Sequence, residues 1–320
     1  MRILILIVSA IGLISLLNSL LPLLTFLYKT FIRPPKNLSL TYGSWALITA
    51  PTDGIGRAFA FQLARRGLNL VLLGRNPEKL QHVSNAILTE LPNTKIKTVQ
   101  VDFSNVTKYC DIQGVIERAI EGLDVGVLIN NVGVTYPSAK FFHEVEEQVL
   151  MDLIRVNVEG TSVVTRAVLP GMVERRRGAI VNIGSGAGLV APSHPLFAIY
   201  AATKSYIREL SRSVYVECKY GGIHVQYQVP LYVATNMAAR VASVEKPSLF
   251  TPSPDDYARA AIRCIGYESI SSPYWAHALQ WHFANFVPES LLDEWRLSLG
   301  MSRMASNPNR NEVINPTDSI

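Results

Sequence analysis

At 320 residues, with 48% hydrophobic content and a formal net charge of +5, the chain is long enough for one large α/β domain and an appendage. The charge is modest, and no basic stretch is interleaved with aromatics, so a nucleic-acid surface is not expected. Cys110, Cys218 and Cys264 are scattered, without paired or metal-ligand spacing, which implies neither a disulfide framework nor a metal site.

From Ile3 to Tyr28 no charged residue occurs. A helix of that length, at roughly 1.5 Å per residue, reaches about 39 Å and crosses a ~30 Å hydrocarbon core with tilt. Pro22 is expected to kink or shorten it. A cleaved signal peptide is the competing reading, but the apolar run exceeds the usual h-region and no clear small-x-small cleavage site follows, so residues 1–30 read as a retained transmembrane anchor. Arg2 precedes the run while Lys29, Arg33 and Lys36 follow it, which places the downstream side in the cytosol, where the cysteines would remain thiols. Residues 31–41, around Arg33-Pro34-Pro35-Lys36, read as a linker, 42–302 as one folded domain, and 303–320 as a polar, disordered tail.

Beyond the linker, SWALITA, LNLVLLG, KIKTVQV, DVGVLIN, GAIVNIG and IHVQYQV read as six strands. Amphipathic helical patterns lie between them at 57–66, 77–91, 112–121, 145–169 and 198–219. This alternation predicts a doubly wound α/β fold, a parallel sheet with helices on both faces. The Arg175-Arg176-Arg177 run reads as a solvated turn before a strand, with contact to lipid headgroups or an anionic substrate as the alternative. After Met237 the pattern weakens. The aromatic stretch 275–295 is left open between covering a substrate entrance, resting on a membrane and packing in the core.

The first strand runs into Thr49-Ala50-Pro51-Thr52-Asp53-Gly54-Ile55-Gly56-Arg57, which opens a helix. Glycines at a strand-to-helix turn let a pyrophosphate approach the backbone, and the helix N-terminus offers free amide donors and partial positive charge. Twenty residues beyond Gly54, where an acid would bind the ribose hydroxyls of NAD, stands Gly74, followed by Arg75. An arginine there welcomes a 2'-phosphate that a carboxylate would repel, so NADPH is expected over NADH, with Arg57 as a second contact. Tyr200 and Lys204 fall four residues apart on one helix face, downstream of Ser185. Read alone, Tyr200 is an amphipathic helix residue and Lys204 a solvated charge. With the glycine turn and Ser185 they point to carbonyl reduction, because an adjacent ammonium brings a phenol of pKa near ~10 toward useful acid strength.

These residues resemble those of the short-chain dehydrogenase/reductases over roughly 42–237. The family's T-G-x-x-x-G-x-G turn corresponds to Thr49 through Gly56, its N-N-A-G to Asn130-Asn131-Val132-Gly133, its helix asparagine to Asn157, and its serine and Y-x-x-x-K to Ser185, Tyr200 and Lys204. More narrowly, the segment from YGSWALITAPTDGIGR to LLGRNPEKL, the NNVG form and QVPLYVAT are similar to the membrane-bound very-long-chain 3-ketoacyl-CoA reductases, plant type, whose animal relative is 17β-hydroxysteroid dehydrogenase type 12. GYES, SPYWAHAL and VPES extend that similarity to about residue 290.

The resemblance implies a Rossmann-type NADP-binding reductase domain at 42–302, reducing very-long-chain 3-ketoacyl-CoA to 3-hydroxyacyl-CoA in fatty acid elongation. It would work at the endoplasmic reticulum membrane, facing the cytosol, with membrane lipid and elongase complex proteins as partners. Tyr200 would protonate the alkoxide, Ser185 bind the carbonyl oxygen, Lys204 hold the nicotinamide ribose and acidify Tyr200, and Asn157 anchor a relay water. Thr49, Thr52, Gly54, Ile55, Gly56 and Arg57 would form the cofactor turn. Asp102 would meet the adenine amino group, Asn131 and Gly133 would flank adenosine, and Thr235 would lie on the nicotinamide side.

The chain departs from the pattern twice. Ala50 stands where the family has its first glycine, which strains the turn or crowds the cofactor at a cost of about 1 kcal/mol. Some relatives end in a dilysine signal, whereas this chain closes with Pro316-Thr317-Asp318-Ser319-Ile320, leaving reticulum residence to the anchor or to partners. Two alternatives therefore stand beside the acyl-CoA reductase: a steroid or other lipid-ketone reductase, and a catalytically weak structural member of the elongation complex.

Overall fold

The computed structural model describes residues 1–105 and 109–305. The chain divides into two units, Met1–Pro35 and the remainder from Lys36. In the first, α1 (Arg2–Leu27) runs through Pro22 without breaking and passes into a π-helical turn at Tyr28–Ile32. Arg2–Ile32 spans 31 residues at a mean hydropathy of 2.5 and buries none of its most apolar window, the length and composition of a candidate membrane span.

In the second unit, α2 (Leu38–Thr41) lies within the stretch read as linker. Asn37 caps it, its side chain accepting from Leu40 N at 3.2 Å, and Leu38 is buried. There follow β1 (Trp45–Thr49), α3 (Gly54–Ala64), β2 (Asn69–Gly74), α4 (Pro77–Glu90), β3 (Ile96–Gln100), α5 (Tyr109–Ile120) and β4 (Val125–Asn130). The second half holds α6 (Glu147–Leu153), a π-helical turn (Ile154–Glu159), α7 (Gly160–Arg175), β5 (Gly178–Ile183), α8 (Ala198–Cys218) and β6 (Ile223–Gln228). The chain then continues through α9 (Asn236–Ala242), α10 (Pro254–Arg263), β7 (Ile270–Ser271), α11 (Trp275–Ala284) and α12 (Glu289–Ala305).

The strands form a parallel sheet in the order β3-β2-β1-β4-β5-β6-β7. Every residue of β4 and β5 is buried, which explains why these strands read as continuous apolar runs. Alternation along β1 sends Ala46 and Ile48 into one core layer with Phe59, Leu72 and Tyr257, and Leu47 into the other with Val71, Leu128 and Val164. Strand order reverses between β1 and β4, where their carboxyl ends open a crevice.

Three features differ from the expected pattern. The helix expected at 145–169 is α6, a π-helical turn and α7, and it runs past Pro170 to Arg175. β7 was not anticipated, because a two-residue strand pairing only Tyr227 with Ile270 and Gln228 with Ser271 leaves no periodicity. The arginine run is not a free turn: Arg175 and Arg177 reach Asp124 at 3.2 and 3.1 Å, and Arg176, at φ +52°, ends α7. Neither Cys218 nor Cys264 is in a disulfide, and the side chain of Cys110 lies outside the described residues. Of the expected polar tail, residues 306–320 lie outside the described residues, while Arg303 belongs to α12.

Candidate active site

The crevice is built on a crossing of backbone between β1 and β4. Thr49, fully buried, accepts at Oγ1 from the amides of Asn131 and Val132, both at 2.9 Å. Asn131 returns Nδ2 to the carbonyls of Thr49 and Ala50 at 3.2 Å. The chain then turns through Ala50, at φ +51°, and Gly54, at φ +52°. A Cβ on Gly56 would lie 2.2 Å from the Ala50 carbonyl oxygen, so only glycine lets α3 start this close to β1. Asp53 is spent on structure: Oδ1 accepts from Gly54 N at 2.7 Å and Oδ2 from Asn236 Nδ2 at 2.8 Å. The amide-rich N-terminus of α3 thus borders the crevice, with Gly54 and Ile55 on its wall.

At the end of β5, Ser185 is fixed from below. Its amide donates to Tyr227 Oη at 3.2 Å, and Tyr227 donates to the Lys204 carbonyl at 3.1 Å. Gly184 makes room for that phenol, since a Cβ there would sit 2.1 Å from Tyr227 Cζ. One turn apart on α8, Tyr200 and Lys204 face the same space. Lys204 Nζ donates to the Ile183 carbonyl at 3.0 Å and lies 5.9 Å from the Tyr200 ring centre. The bare Cα of Gly133 leaves room beside that ammonium, as a Cβ there would stand 3.4 Å from Nζ.

Burial lowers the Lys204 pKa to about 8, close to working pH. Burial also raises that of Tyr200, against a lowering hydrogen bond with Ser185. In the protein alone, therefore, the hydroxyl of Ser185 favours the phenolate, while Lys204 is engaged by a main-chain carbonyl.

Asn157 sits on the π-helical turn, buried, with its carboxamide fully used. Oδ1 accepts from Val134 N at 2.8 Å; Nδ2 donates to Val134 O and Thr203 Oγ1, both at 3.0 Å. It pins the loop after β4 to α8, behind the crevice wall. Insertion of such a turn in an α-helix is a recurrent device at functional sites.

A cavity of about 390 Å³ brings together Thr52, Gly54, Ile55, Asn131, Gly133, Ser185, Tyr200, Lys204 and Thr235. Thr235 also caps α9, accepting from Ala238 N at 3.2 Å. Of the other expected residues, Thr49 and Gly56 lie beneath the turn and Asn157 behind the wall. Arg57, Arg75 and Asp102 are exposed along the carboxyl edge of the sheet. Arg57 stacks 4.7 Å over Phe61, and Asp102 Oδ1 accepts from Ser104 N and Oγ at 3.0 and 2.7 Å. The remaining wall is supplied by Tyr232, within the QVPLYVAT segment, by Trp295, at the end of the aromatic stretch 275–295, and by His194, Arg296 and Arg303, which no motif marked. His194 is brought down to about 4 by burial and by the charges of Arg296 and Arg303.

The donor set, a helix N-terminus and a lysine facing a phenol and a serine, fits a dinucleotide and a carbonyl. Residues 44–246 match the short chain dehydrogenase family. The chain belongs to that family of oxidoreductases. Among short-chain dehydrogenases, it is 54% identical over 297 residues to the very-long-chain 3-oxoacyl-CoA reductase-like protein of Arabidopsis thaliana, covering 92% of this chain and 94% of that protein. It is 41% identical over 250 residues to the human inactive hydroxysteroid dehydrogenase-like protein 1, covering 78% and 74%. In fold it is similar to a short-chain dehydrogenase from Sphingobium yanoikuyae in complex with NADPH, with a TM-score of 0.64 and 28% identity over 83% of this chain and 96% of that one.

Proposed function

We propose that this short-chain dehydrogenase is an NADPH-dependent reductase of very-long-chain 3-ketoacyl-CoA, acting in fatty acid elongation at the endoplasmic reticulum membrane with its catalytic domain in the cytosol. The observation that carries the reading is the convergence of Ser185, Tyr200 and Lys204 on one cavity bordered by the N-terminus of α3. Support for the acyl-CoA class comes from the similarity to the Arabidopsis protein over nearly its whole length. The candidate membrane span supports a lipid substrate and membrane partners, including the other elongation proteins.

Gly54, Ile55, Asn131, Gly133, Lys204 and Thr235 would hold the dinucleotide, with Arg75 at the end of β2 favouring a 2'-phosphate. NADPH, when bound, supplies the hydride. The protein's part is to place the ketone and deliver a proton. The Ser185 hydroxyl donates to the carbonyl oxygen, and the Tyr200 hydroxyl gives its proton to the same atom as charge develops there. Lys204 supplies positive charge beside the phenol, and Asn157 keeps α8 in register with the loop after β4.

The test is turnover of a long-chain 3-ketoacyl-CoA on membranes holding the full chain with NADPH, beside a 17-ketosteroid. Tyr200→Phe is expected to lower acyl-CoA turnover by at least ~100-fold while NADPH binds almost unchanged, since the phenol proton is lost and little cofactor contact goes with it. Comparable turnover in that variant defeats the assignment; preference for the steroid replaces the substrate. A second reading, a weakly catalytic structural member of the elongation complex, is favoured by the left-handed backbone of Ala50 at the cofactor turn and by similarity to a relative named inactive.

A further inference from the structure

The part of the cavity wall formed by Tyr232, Arg296 and Arg303 is rich in hydrogen-bond donors. Asp53, already bonded to Gly54 and Asn236, is the only carboxylate among the described lining residues, whereas Arg296 and Arg303 reach the cavity from α12. Arg303 Nη1 donates to Tyr232 Oη at 2.9 Å, and Arg296 lies beside it on the same cavity wall. Tyr232 Oη therefore accepts from a guanidinium group, and its own proton finds no acceptor among the described residues. Arg296 stacks 5.2 Å over Trp295 and approaches His194 Nδ1 at 3.5 Å; no acid is among the groups acting on it. Its Nε is buried with no hydrogen-bond partner among the described residues. Tyr232 and Tyr200 line the same cavity.

Buried donors left unpaired are costly, and a site built around them discriminates against ligands that cannot accept. From this arrangement, and resting on the reductase reading above, we infer that Tyr232 and Arg296 form a specificity site for a second acyl oxygen of the substrate, the thioester carbonyl one methylene from the ketone held by Ser185 and Tyr200. A 1,3-dicarbonyl fills both positions. A monoketone, including a steroid ketone, fills one and leaves the phenol proton unanswered.

The experiment compares acetoacetyl-CoA with a monoketone of equal acyl length in the full chain and in Tyr232→Phe, a variant that removes one hydroxyl, with Arg296→Gln as the second variant. The ratio of kcat/KM for the two substrates is expected to fall about 10- to 100-fold in each variant, chiefly through KM, the range set by hydrogen bonds to charged groups. Direct binding of acetoacetyl-CoA and of CoA alone is measured alongside, and the loss is expected only for acetoacetyl-CoA. An unchanged ratio overturns the inference. So does equal weakening of CoA, which would assign the arginine to phosphate groups. Should the wild-type chain reduce neither substrate, the reductase reading falls, and the binding comparison still decides the role of Tyr232 and Arg296.

Discussion

Ala50 places a methyl group in left-handed backbone, at φ +51°, where the rest of its family resemblance has glycine. For a residue with a Cβ this costs about 1 kcal/mol, and Ala50 also lines the cavity. Ala50→Gly is expected to bind NADPH more tightly in a fluorescence titration because the methyl no longer crowds the cofactor, while the backbone strain, already present without cofactor, is relieved as folding stability. Equal affinity would show that the turn closes on the cofactor as it stands and would remove the main support for the weakly catalytic reading. Lys204 sets the pH behaviour. With its pKa brought down to about 8, kcat/KM is expected to fall above that pH as the ammonium is lost. Stability moves the other way: the unfolded lysine, near ~10.4, binds more protons than the folded one, so stability rises between pH 8 and ~10.4. Lys204→Met should abolish that rise in urea titrations.

Tyr200, Lys204 and the glycine turn were legible because their spacing is local: four residues on a helix, or a few around one turn. Arg296 and Arg303 were not, because nothing in their neighbourhoods marks them and they meet the site only through the placement of α12, while Tyr232 lay inside a quoted motif whose part in the wall its sequence does not show. Thr49 and Asn157 show a different limit. Their positions in the motifs are plain, yet the structure spends both side chains on holding main chain in place.

Among elements, the decisive joint is that between β5 and α8. A single phenol, Tyr227, receives the Ser185 amide and donates to the Lys204 carbonyl, so the serine and the helix carrying Tyr200 share one fixed point. A parallel tie runs deeper, from Asn130 to Asn182 at 2.8 Å and from Asn182 to Ser211 at 2.8 Å, linking β4, β5 and α8. Tyr227→Phe is expected to cost about 1–3 kcal/mol, the penalty for stranding a polar group that had a buried partner. It should reduce kcat more than it raises KM, because it loosens the reacting groups and touches no substrate. Urea midpoints and steady-state kinetics check both. The strands of this joint were readable as apolar runs, whereas the π-helical turn carrying Asn157 was not, since one extra residue per turn barely disturbs a helical pattern of hydrophobicity.

At the scale of the molecule, parallel strands direct all their carboxyl ends to one edge, so residues from β1, β4, β5 and the segment after β6 meet there without any being close in sequence. The alternation of runs was enough to foresee that edge, and the six long strands with it. If the basic residues flanking α1 orient it as their count predicts, protease added to sealed microsomes should digest the chain after Lys36 while alkaline carbonate leaves α1 in the membrane. Protection of the reductase domain until detergent is added would place it in the lumen instead.

The margins of the sheet have their own consequence. On one flank β3 exposes Lys97 and Thr98, and on the other β7 offers two residues of backbone. A charged border and a stub give an incoming strand almost nothing to zip onto. The sheet is thereby guarded against the edge-to-edge growth that seeds fibrils.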